Sequence, residues 1–479
     1  MTLEDENMRQ KTVYTVGAGL ILAFGISFPS YAAAGWQWDG NEWRYVQSNN
    51  ETVTDTWKRS GSHWFYLGGD GRMVRSQLVE YGDDYYYVNS TGARVANEWR
   101  KLPNPETGGD EPDNVWYYFQ SNGKAYKAPD SGRTSFKTIV TASGEKKKYA
   151  FDSSGRMLFG WVDEDSQRVT GDDAWREGTY YCGDEDDGAM VQGMWKQLEA
   201  LDDGNEDSFY NDEYWFYFNA NGKKAAGTKK TINGYKYLFG EDGNAKYQWQ
   251  STPVATGSTA TPSSASSYYK RPDQCWLAVG WFKTVPSEEI DVQAHEDEEE
   301  YWFYGLSGGG VVTSQLKTIN GYTYGFNEGG MMLHGLYKMK VQDKKILSYE
   351  KIENESQLPS AGDTEKVYYF GDTPKEGVMK TGRCTVDLDG EKFTYSFRTS
   401  GSDRGAGVDG IYDGGIYEQG RLKTLDYGMR YGIIQYQGKD YLVNQSGKIQ
   451  KNKKNVKDAD GVYYSTDKDG VVTSVGDKK

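Results

Sequence analysis

Aromatic and polar residues alternate along this chain in short runs, each followed within a few residues by a glycine turn. At Trp64–Tyr66 the run reads WFY, and GGDG follows at Gly68–Gly71. Alternation at every second position is typical of a half-buried strand, and Asn-Gly or Asp-Gly supplies the positive φ of a tight turn. The pattern predicts β-hairpins.

The same run recurs over most of the chain. The further triplets are Trp43–Tyr45, Tyr85–Tyr87, Trp116–Tyr118, Trp215–Tyr217, Trp302–Tyr304 and Val462–Tyr464. The first three repeats have a period of about 21 residues, and KTINGY occurs twice, at Lys230–Tyr235 and Lys317–Tyr322. Because a lone hairpin cannot bury its apolar face, the repeats predict an all-β solenoid of stacked hairpins.

The repeats predict two arrays. Residues 251–267 form an uncharged Ser/Thr/Pro/Ala tract without periodicity, which favours a flexible linker. Residues 35–250 form the first predicted hairpin array. Residues 268–479 form the second, whose pattern diverges toward the C-terminus.

Residues 1–34 have the features of a secretory signal. Arg9 and Lys11 precede an uncharged, largely apolar stretch that ends in Ala32-Ala33-Ala34, a small-residue cleavage pattern. Met8 is an alternative start, since the residues before it are acidic, and an uncleaved membrane anchor is the alternative role. The sequence predicts export, with the mature chain beginning near Ala33 to Gly35.

Composition narrows the function classes. The net charge of −15 disfavours nucleic acid as a partner. The three Cys and three His residues lack the spacing of a metal site. A glycosidase needs two carboxylates held in a walled cleft, whereas the acidic pairs of this chain lie in its inserts. We therefore expect no cofactor, no metal and no catalytic residues. With 39 Tyr and 15 Trp, the chain is instead rich in rings that bind cations or stack on sugars.

Tryptophans that precede the triplets are the strongest candidate ligand contacts. We expect the triplet Trp of one hairpin to meet the leading Trp and a Tyr of the next, as a cage or stacking platform. Trp43, Trp57 and Tyr66 would form the first set, and Trp64 with Tyr87 the second. The full set of candidate ligand-binding residues is Trp36, Trp43, Trp57, Trp64, Tyr66, Tyr87, Trp99, Trp195 and Trp281. Close packing of the same rings as core is the alternative.

The segments GWQWDGNEWRY at Gly35–Tyr45 and WFYLGGDGRM at Trp64–Met73 resemble the cell-wall-binding repeats of Gram-positive surface proteins, of the choline-binding and glucan-binding type. The resemblance implies a left-handed hairpin solenoid with ligand cages of two Trp and one Tyr between hairpins. It assigns that role to Trp43, Trp57 and Tyr66. The sequence departs from this pattern at other junctions, where Leu78, Phe136, Leu316 and Leu336 replace the leading Trp.

The sequence thus predicts a non-enzymatic, secreted or surface-attached protein that binds a wall polymer, a choline-bearing teichoic acid or a glucan, through aromatic sites. One alternative is an adhesin that binds a host surface protein through the acidic inserts at 103–115, 201–213 and 285–300. Another is a carbohydrate-active enzyme within residues 336–430.

Overall fold

The computed structural model describes residues 34–106, 108, 111–200, 213–251, 266–270, 273–359 and 364–477. The predicted signal segment, apart from Ala34, and residues 252–265 of the predicted linker lie outside this part. The chain divides into two compact units. The first holds the described residues up to Thr170 together with Tyr180–Met190, and the second holds Gly171–Thr179 and the residues from Val191 onward.

The first unit consists of short strands. They are β1 (Gly35–Trp38), β2 (Trp43–Val46), β3 (Thr56–Ser60), β4 (His63–Leu67), β5 (Gln77–Tyr81), β6 (Asp84–Val88), β7 (Glu98–Pro103), β8 (Asn114–Phe119), β9 (Lys137–Val140), β10 (Lys146–Tyr149), β11 (Gly160–Val162), β12 (Arg168–Val169) and β13 (Tyr180–Cys182).

The second unit begins in the same way and then builds wider sheets. Its strands are β14 (Met194–Glu199), β15 (Glu213–Phe218), β16 (Thr228–Ile232), β17 (Tyr235–Phe239), β18 (Gln248–Ser251), β19 (Ser266–Tyr269), β20 (Gly280–Thr284), β21 (Tyr301–Gly305), β22 (Gln315–Ile319), β23 (Tyr322–Phe326), β24 (Gly335–Gln342), β25 (Lys345–Ile352), β26 (Lys366–Gly371), β27 (Val378–Met379), β28 (Gly382–Leu388), β29 (Glu391–Phe397), β30 (Gly410–Tyr412), β31 (Gly415–Glu418), β32 (Arg421–Leu422), β33 (Tyr431–Tyr436), β34 (Lys439–Asn444), β35 (Val456–Lys457), β36 (Tyr463–Thr466) and β37 (Val472–Gly476). Its helices are α1 (Ala174–Glu177), α2 (Val292–Glu296) and a 3₁₀ turn at Glu355–Gln357.

Strands consecutive in sequence pair as antiparallel hairpins, which confirms the predicted all-β fold of hairpin repeats. In the second unit, strands β22–β27 join in a six-stranded sheet and β28–β32 in a five-stranded one, which is where the aromatic pattern decays. The division into two arrays stays a prediction. Strands β18 and β19, which bracket residues 252–265, pair with each other.

The glycine turns that follow the triplets lie between successive hairpins rather than within them. The turn of the β3–β4 hairpin holds Gly61 at φ +55°, whereas the GGDG turn comes after β4 and leads to β5. That later turn bonds backward, because the Met73 N–H donates to the Trp43 carbonyl of the preceding hairpin at 2.7 Å. Each such turn therefore fastens a hairpin to the one before it.

Burial alternates within the triplets. The middle residue is buried in each of five triplets, with exposed fractions of 7% for Phe65, 7% for Tyr86, 3% for Tyr117 and 0% for Phe216 and Phe303. The first and third residues project from the opposite face of the strand. Hairpin stacking therefore places the middle ring of one triplet against the outer rings of its predecessor.

Helix α1 is held against the β14–β15 hairpin by a lysine. Lys224 Nζ donates to the carbonyl oxygens of Trp175 and Arg176, the latter at 2.8 Å. Trp175 stacks on Tyr214 with ring centroids 5.8 Å apart. Burial lowers the pKa of Lys224 to about 8.

We expect Lys224 to make stability depend on pH in the alkaline range. In the unfolded chain its pKa is about 10.4, so between about pH 8 and pH 10 the unfolded state binds more protons. The burial cost of the charged amine is therefore present below pH 8 and is lost as pH rises. The urea midpoint of wild type should rise between about pH 7.5 and pH 9.5, and this rise should be larger than that of Lys224→Met. The control Lys229→Met, at an exposed lysine, should show the same rise as wild type. An equal change of the midpoint with pH in all three proteins would contradict the prediction.

Gly305 gives a test of hairpin packing. A Cβ at this position would lie 2.1 Å from the Ala278 carbonyl oxygen, and the backbone is not in the left-handed region. Gly305→Ala should therefore lower the free energy of unfolding by about 1–3 kcal/mol through overpacking alone. Gly308→Ala is the matched control, because a Cβ there meets nothing within 4 Å. Denaturant melts that show equal loss for both variants would refute the steric explanation.

Candidate functional site

Three aromatic clusters repeat one arrangement. Each combines a leading Trp with the first and third rings of its own triplet and with a Tyr of the next hairpin. We name them the Trp99 corner (Trp99, Trp116, Tyr118, Tyr149), the Trp195 corner (Trp195, Trp215, Tyr217, Tyr237) and the Trp281 corner (Trp281, Trp302, Tyr304, Tyr324). The first lies in the first unit, and the other two lie in the second.

Ring geometry is nearly constant across the corners. The two indoles stand 6.3, 6.4 and 6.2 Å apart at 88°, 84° and 88° in the order of the chain. The leading Trp lies 5.1, 5.2 and 5.3 Å from the Tyr of its own hairpin. It lies 4.9, 4.7 and 4.7 Å from the Tyr of the next hairpin. The corner is therefore a reproducible unit of the repeat.

Strand register accounts for this arrangement. Trp281 is paired directly across the hairpin with Tyr304, and Trp302, two residues before Tyr304, shares its face. The next hairpin supplies Tyr324 and Phe326, and Phe326 stacks on Trp281 at 5.7 Å and 30°. Trp99 and Trp195 have the same cross-strand pairing with their Tyr residues. The sequence Trp–x–Tyr followed by Tyr–x–Phe thus encodes the corner.

The corners remain partly open. Both Trp rings and the Tyr of the same hairpin are half-buried, whereas Tyr149, Tyr237 and Tyr324 are only 5%, 8% and 4% exposed. Half-buried indole and phenol rings of this kind can bind a quaternary ammonium or stack on a sugar through the part of their surface that stays accessible. Burial raises the pKa of Tyr324, so this ring stays a neutral phenol near pH 7.

One backbone position faces each corner from the following glycine turn. Two residues after the turn glycine, the N–H of Met157, Ala245 and Met332 donates to the carbonyl of Trp116, Trp215 and Trp302 at 2.8, 2.8 and 2.9 Å. We call this the floor position. Apolar or small side chains occupy it in all three corners.

In two corners the N–H of the triplet indole donates a hydrogen bond to a carboxylate. Trp116 Nε1 donates to Asp186 at 3.0 Å, and Trp302 Nε1 donates to Glu376 at 3.1 Å. Asp186 also pairs with Lys101 at 2.6 Å, and this hydrogen bond, followed by that from Trp116, lowers the pKa of Asp186. Sequence reasoning missed both acids, because they lie 70 and 74 residues from their Trp partners.

The predicted leading residues Trp99, Trp195 and Trp281 lie at the centres of the three corners. Their partners Trp116, Trp215 and Trp302 were not singled out from the sequence, although the repeated Trp–x–Tyr spacing marks them. The ligand-binding role of all these residues stays a prediction.

The N-terminal candidates are grouped differently from the expected sets. Trp36 contacts Tyr45 and Phe65 at 5.6 and 5.5 Å, and Trp43 lies in that same cluster. Trp57 instead pairs with Tyr66 and contacts it at 5.2 Å. The expected contact of Trp57 with Tyr66 is present, but Trp43 lies with Trp36, the leading Trp of its own hairpin, so the expected set of three is divided.

The second expected pair is also divided between clusters. Tyr87 lies with Leu78 and Tyr85 in the cluster around Tyr117. Trp64, 37% exposed, lies 5.7 Å from the Arg94 guanidinium, which also lies 5.6 Å from the Trp57 ring. Trp57 also contacts Tyr86 at 5.1 Å. We call Trp57, Trp64, Tyr66 and Tyr86 the fourth cluster, in which Arg94 holds the floor position and lies against both indoles.

The described residues meet the requirements neither of a metal site nor of a membrane-spanning helix. No group of three or more His, Cys, Asp or Glu side chains there is placed to hold a metal ion. No described helix has the length and hydropathy needed to cross a membrane.

Sequence comparison gives a partial relative. No protein family model matches the chain. Over 268 residues, 55% of its length, the chain is 30% identical to glucosyltransferase-S of Streptococcus mutans. The match spans 14% of that enzyme, so its activity does not carry over.

Solved structures with similar local geometry come from Streptococcus pneumoniae. CbpJ aligns at 17% identity and a TM-score of 0.41, covering 74% of this chain and 99% of that one. The choline-binding domain of CbpL aligns at 23% identity and a TM-score of 0.30, covering 52% and 99%. None of the relatives named here points to a host-protein partner.

The repeat assignment therefore rests on the hairpins themselves and on the streptococcal sequence match. Both agree with the resemblance first drawn from the triplets and turns. The predicted resemblance to choline-binding and glucan-binding repeats is confirmed at the level of the repeat unit.

Proposed function

We propose that the protein binds a cell-surface polymer non-covalently through its aromatic corners and is exported to the surface where that polymer lies. The polymer is a carbohydrate or a choline-bearing wall polymer. The observation that carries the proposal is the threefold recurrence of one half-open corner with ring spacings that agree within a few tenths of an ångström.

Recurrence matters because each contact is weak. A cation over an aromatic face contributes about 0.5–2 kcal/mol. Several such sites on one chain that engage one polymer raise avidity by about 10²–10⁴ through effective concentration. An array of modest corners is therefore a physical route to tight attachment without a deep pocket.

Two observations bear on the ligand. The relative from Streptococcus mutans is named for transferring glucosyl groups, which supports a glucan. The carboxylate of Glu376 beside Trp302 supports a cationic headgroup, because a negative charge at the rim favours a cation over a neutral sugar. Titration with each ligand separates the two.

We expect Trp281→Leu to remove one binding site per chain. Leucine is tolerated at the equivalent strand position, where Leu78 stands opposite Tyr87, so the hairpin should still form. Calorimetric titration of the full chain with choline chloride and with soluble dextran should show one equivalent fewer of whichever ligand binds. Tyr427→Leu, at a side chain 99% exposed, is the control and should bind as wild type does. Unchanged stoichiometry in a folded Trp281→Leu variant would rule out this corner.

Glu376→Gln tests whether the negative charge of Glu376, rather than its hydrogen bond to Trp302, favours a cationic ligand. The amide keeps an acceptor for the Trp302 N–H and removes the negative charge, so choline affinity should fall about two- to five-fold at low salt. Dextran affinity should not change. A loss that is equal for both ligands would show that Glu376 positions the indole rather than selecting a cation.

A further inference from the structure

The fourth cluster differs from the three corners at its floor. Arg94 lies two residues after Gly92, and its N–H donates to the Trp64 carbonyl at 2.8 Å. This bond is the one that Met157, Ala245 and Met332 make to their own triplet Trp residues. Arg94 therefore occupies the floor position, where the three corners have apolar side chains.

Its guanidinium lies among the rings. The Arg94 Cζ atom is 5.6 Å from the Trp57 ring, 5.7 Å from Trp64 and 5.8 Å from Tyr86. Three aromatic faces at nearly equal distance from one cation are the contacts that a quaternary ammonium would make in an open corner.

Aromatic faces are the main partners of this charge. In the part of the chain that the structure describes, Arg94 takes part in no ion pair. An arginine stays protonated at any physiological pH and is more weakly hydrated than an ammonium ion, so it is suited to stacking on rings. The arrangement is an aromatic cluster that already holds a cation from its own chain.

The next turn keeps the side chain in place. Gly123, at φ +79°, packs against it so closely that a Cβ there would lie 2.4 Å from Arg94 Nε. Gly377 packs against Met332 in the same way, with a Cβ position 2.4 Å from the Met332 methyl group. The space behind the floor is thus alike in both places, and the side chain on the floor differs.

We propose that Arg94 is the specificity-determining residue of this junction: its guanidinium fills the cation position among Trp57, Trp64 and Tyr86 and closes the cluster to external cations. The inference rests on the proposed function in its choline form. Trp57 and Trp64 then serve an internal cation, and external binding is left to the corners with Met or Ala at the floor.

Exchanging the floor residues tests this. Arg94→Met should bind one more equivalent of choline than wild type in calorimetric titration, and Met332→Arg should bind one fewer. Arg94→Lys keeps a cation on the floor and should bind as wild type does. Near-ultraviolet circular dichroism reports whether the aromatic packing of each variant is native. If Arg94→Met does not fold, Met332→Arg alone decides, because an unchanged stoichiometry there overturns the proposal.

The outcomes separate the two proposals. If wild type binds choline and a folded Arg94→Met variant binds no more, the role of Arg94 is refuted and the proposed function stands. If wild type binds none and Arg94→Met binds one equivalent, Arg94 closes the site as proposed and choline is not the ligand of the other corners. If neither protein binds choline, both proposals fail in their choline form.

Discussion

A two-stranded hairpin has two faces and can bury neither by itself, and the rest of this protein follows from that constraint. Each hairpin must supply rings to a neighbour on both sides. The triplets meet this need by alternation, since Phe303 points to one side of its strand while Trp302 and Tyr304 point to the other. Turns that bond backward to the preceding hairpin fasten the contact.

The same constraint leaves the corners partly open. Two indoles on one hairpin face meet edge to face, 6.2–6.4 Å apart and nearly perpendicular, and both stay half-buried. The Tyr–x–Phe of the next hairpin covers one side only, because its strand contributes a ring at every second residue. The partly exposed aromatic surface is therefore a by-product of the stacking that stabilises the fold, and it recurs where both sequence elements recur.

Much of this was predictable from local sequence. Alternation predicted the strands, although the glycine turns after the triplets lie between hairpins rather than within them. The leading tryptophans Trp99, Trp195 and Trp281 lie at the centres of the repeated clusters. At the first junction the expected contact of Trp57 with Tyr66 is present, whereas Trp43 lies with Trp36 of its own hairpin. Asp186 and Glu376 had no local signal, since each lies in a connection between strands 70 or more residues from its indole partner.

Fold and ligand choice are separable in this architecture. At the floor position the backbone donates the same hydrogen bond whether the residue is Met157, Ala245, Met332 or Arg94. The side chain is therefore free to vary without disturbing the fastening of the hairpins. Under the proposed function, a substitution at this position would change the charge and volume among the rings while the backbone hydrogen bond is kept. A repeat array of this kind can retain many hairpins for stability and differ in which of them bind.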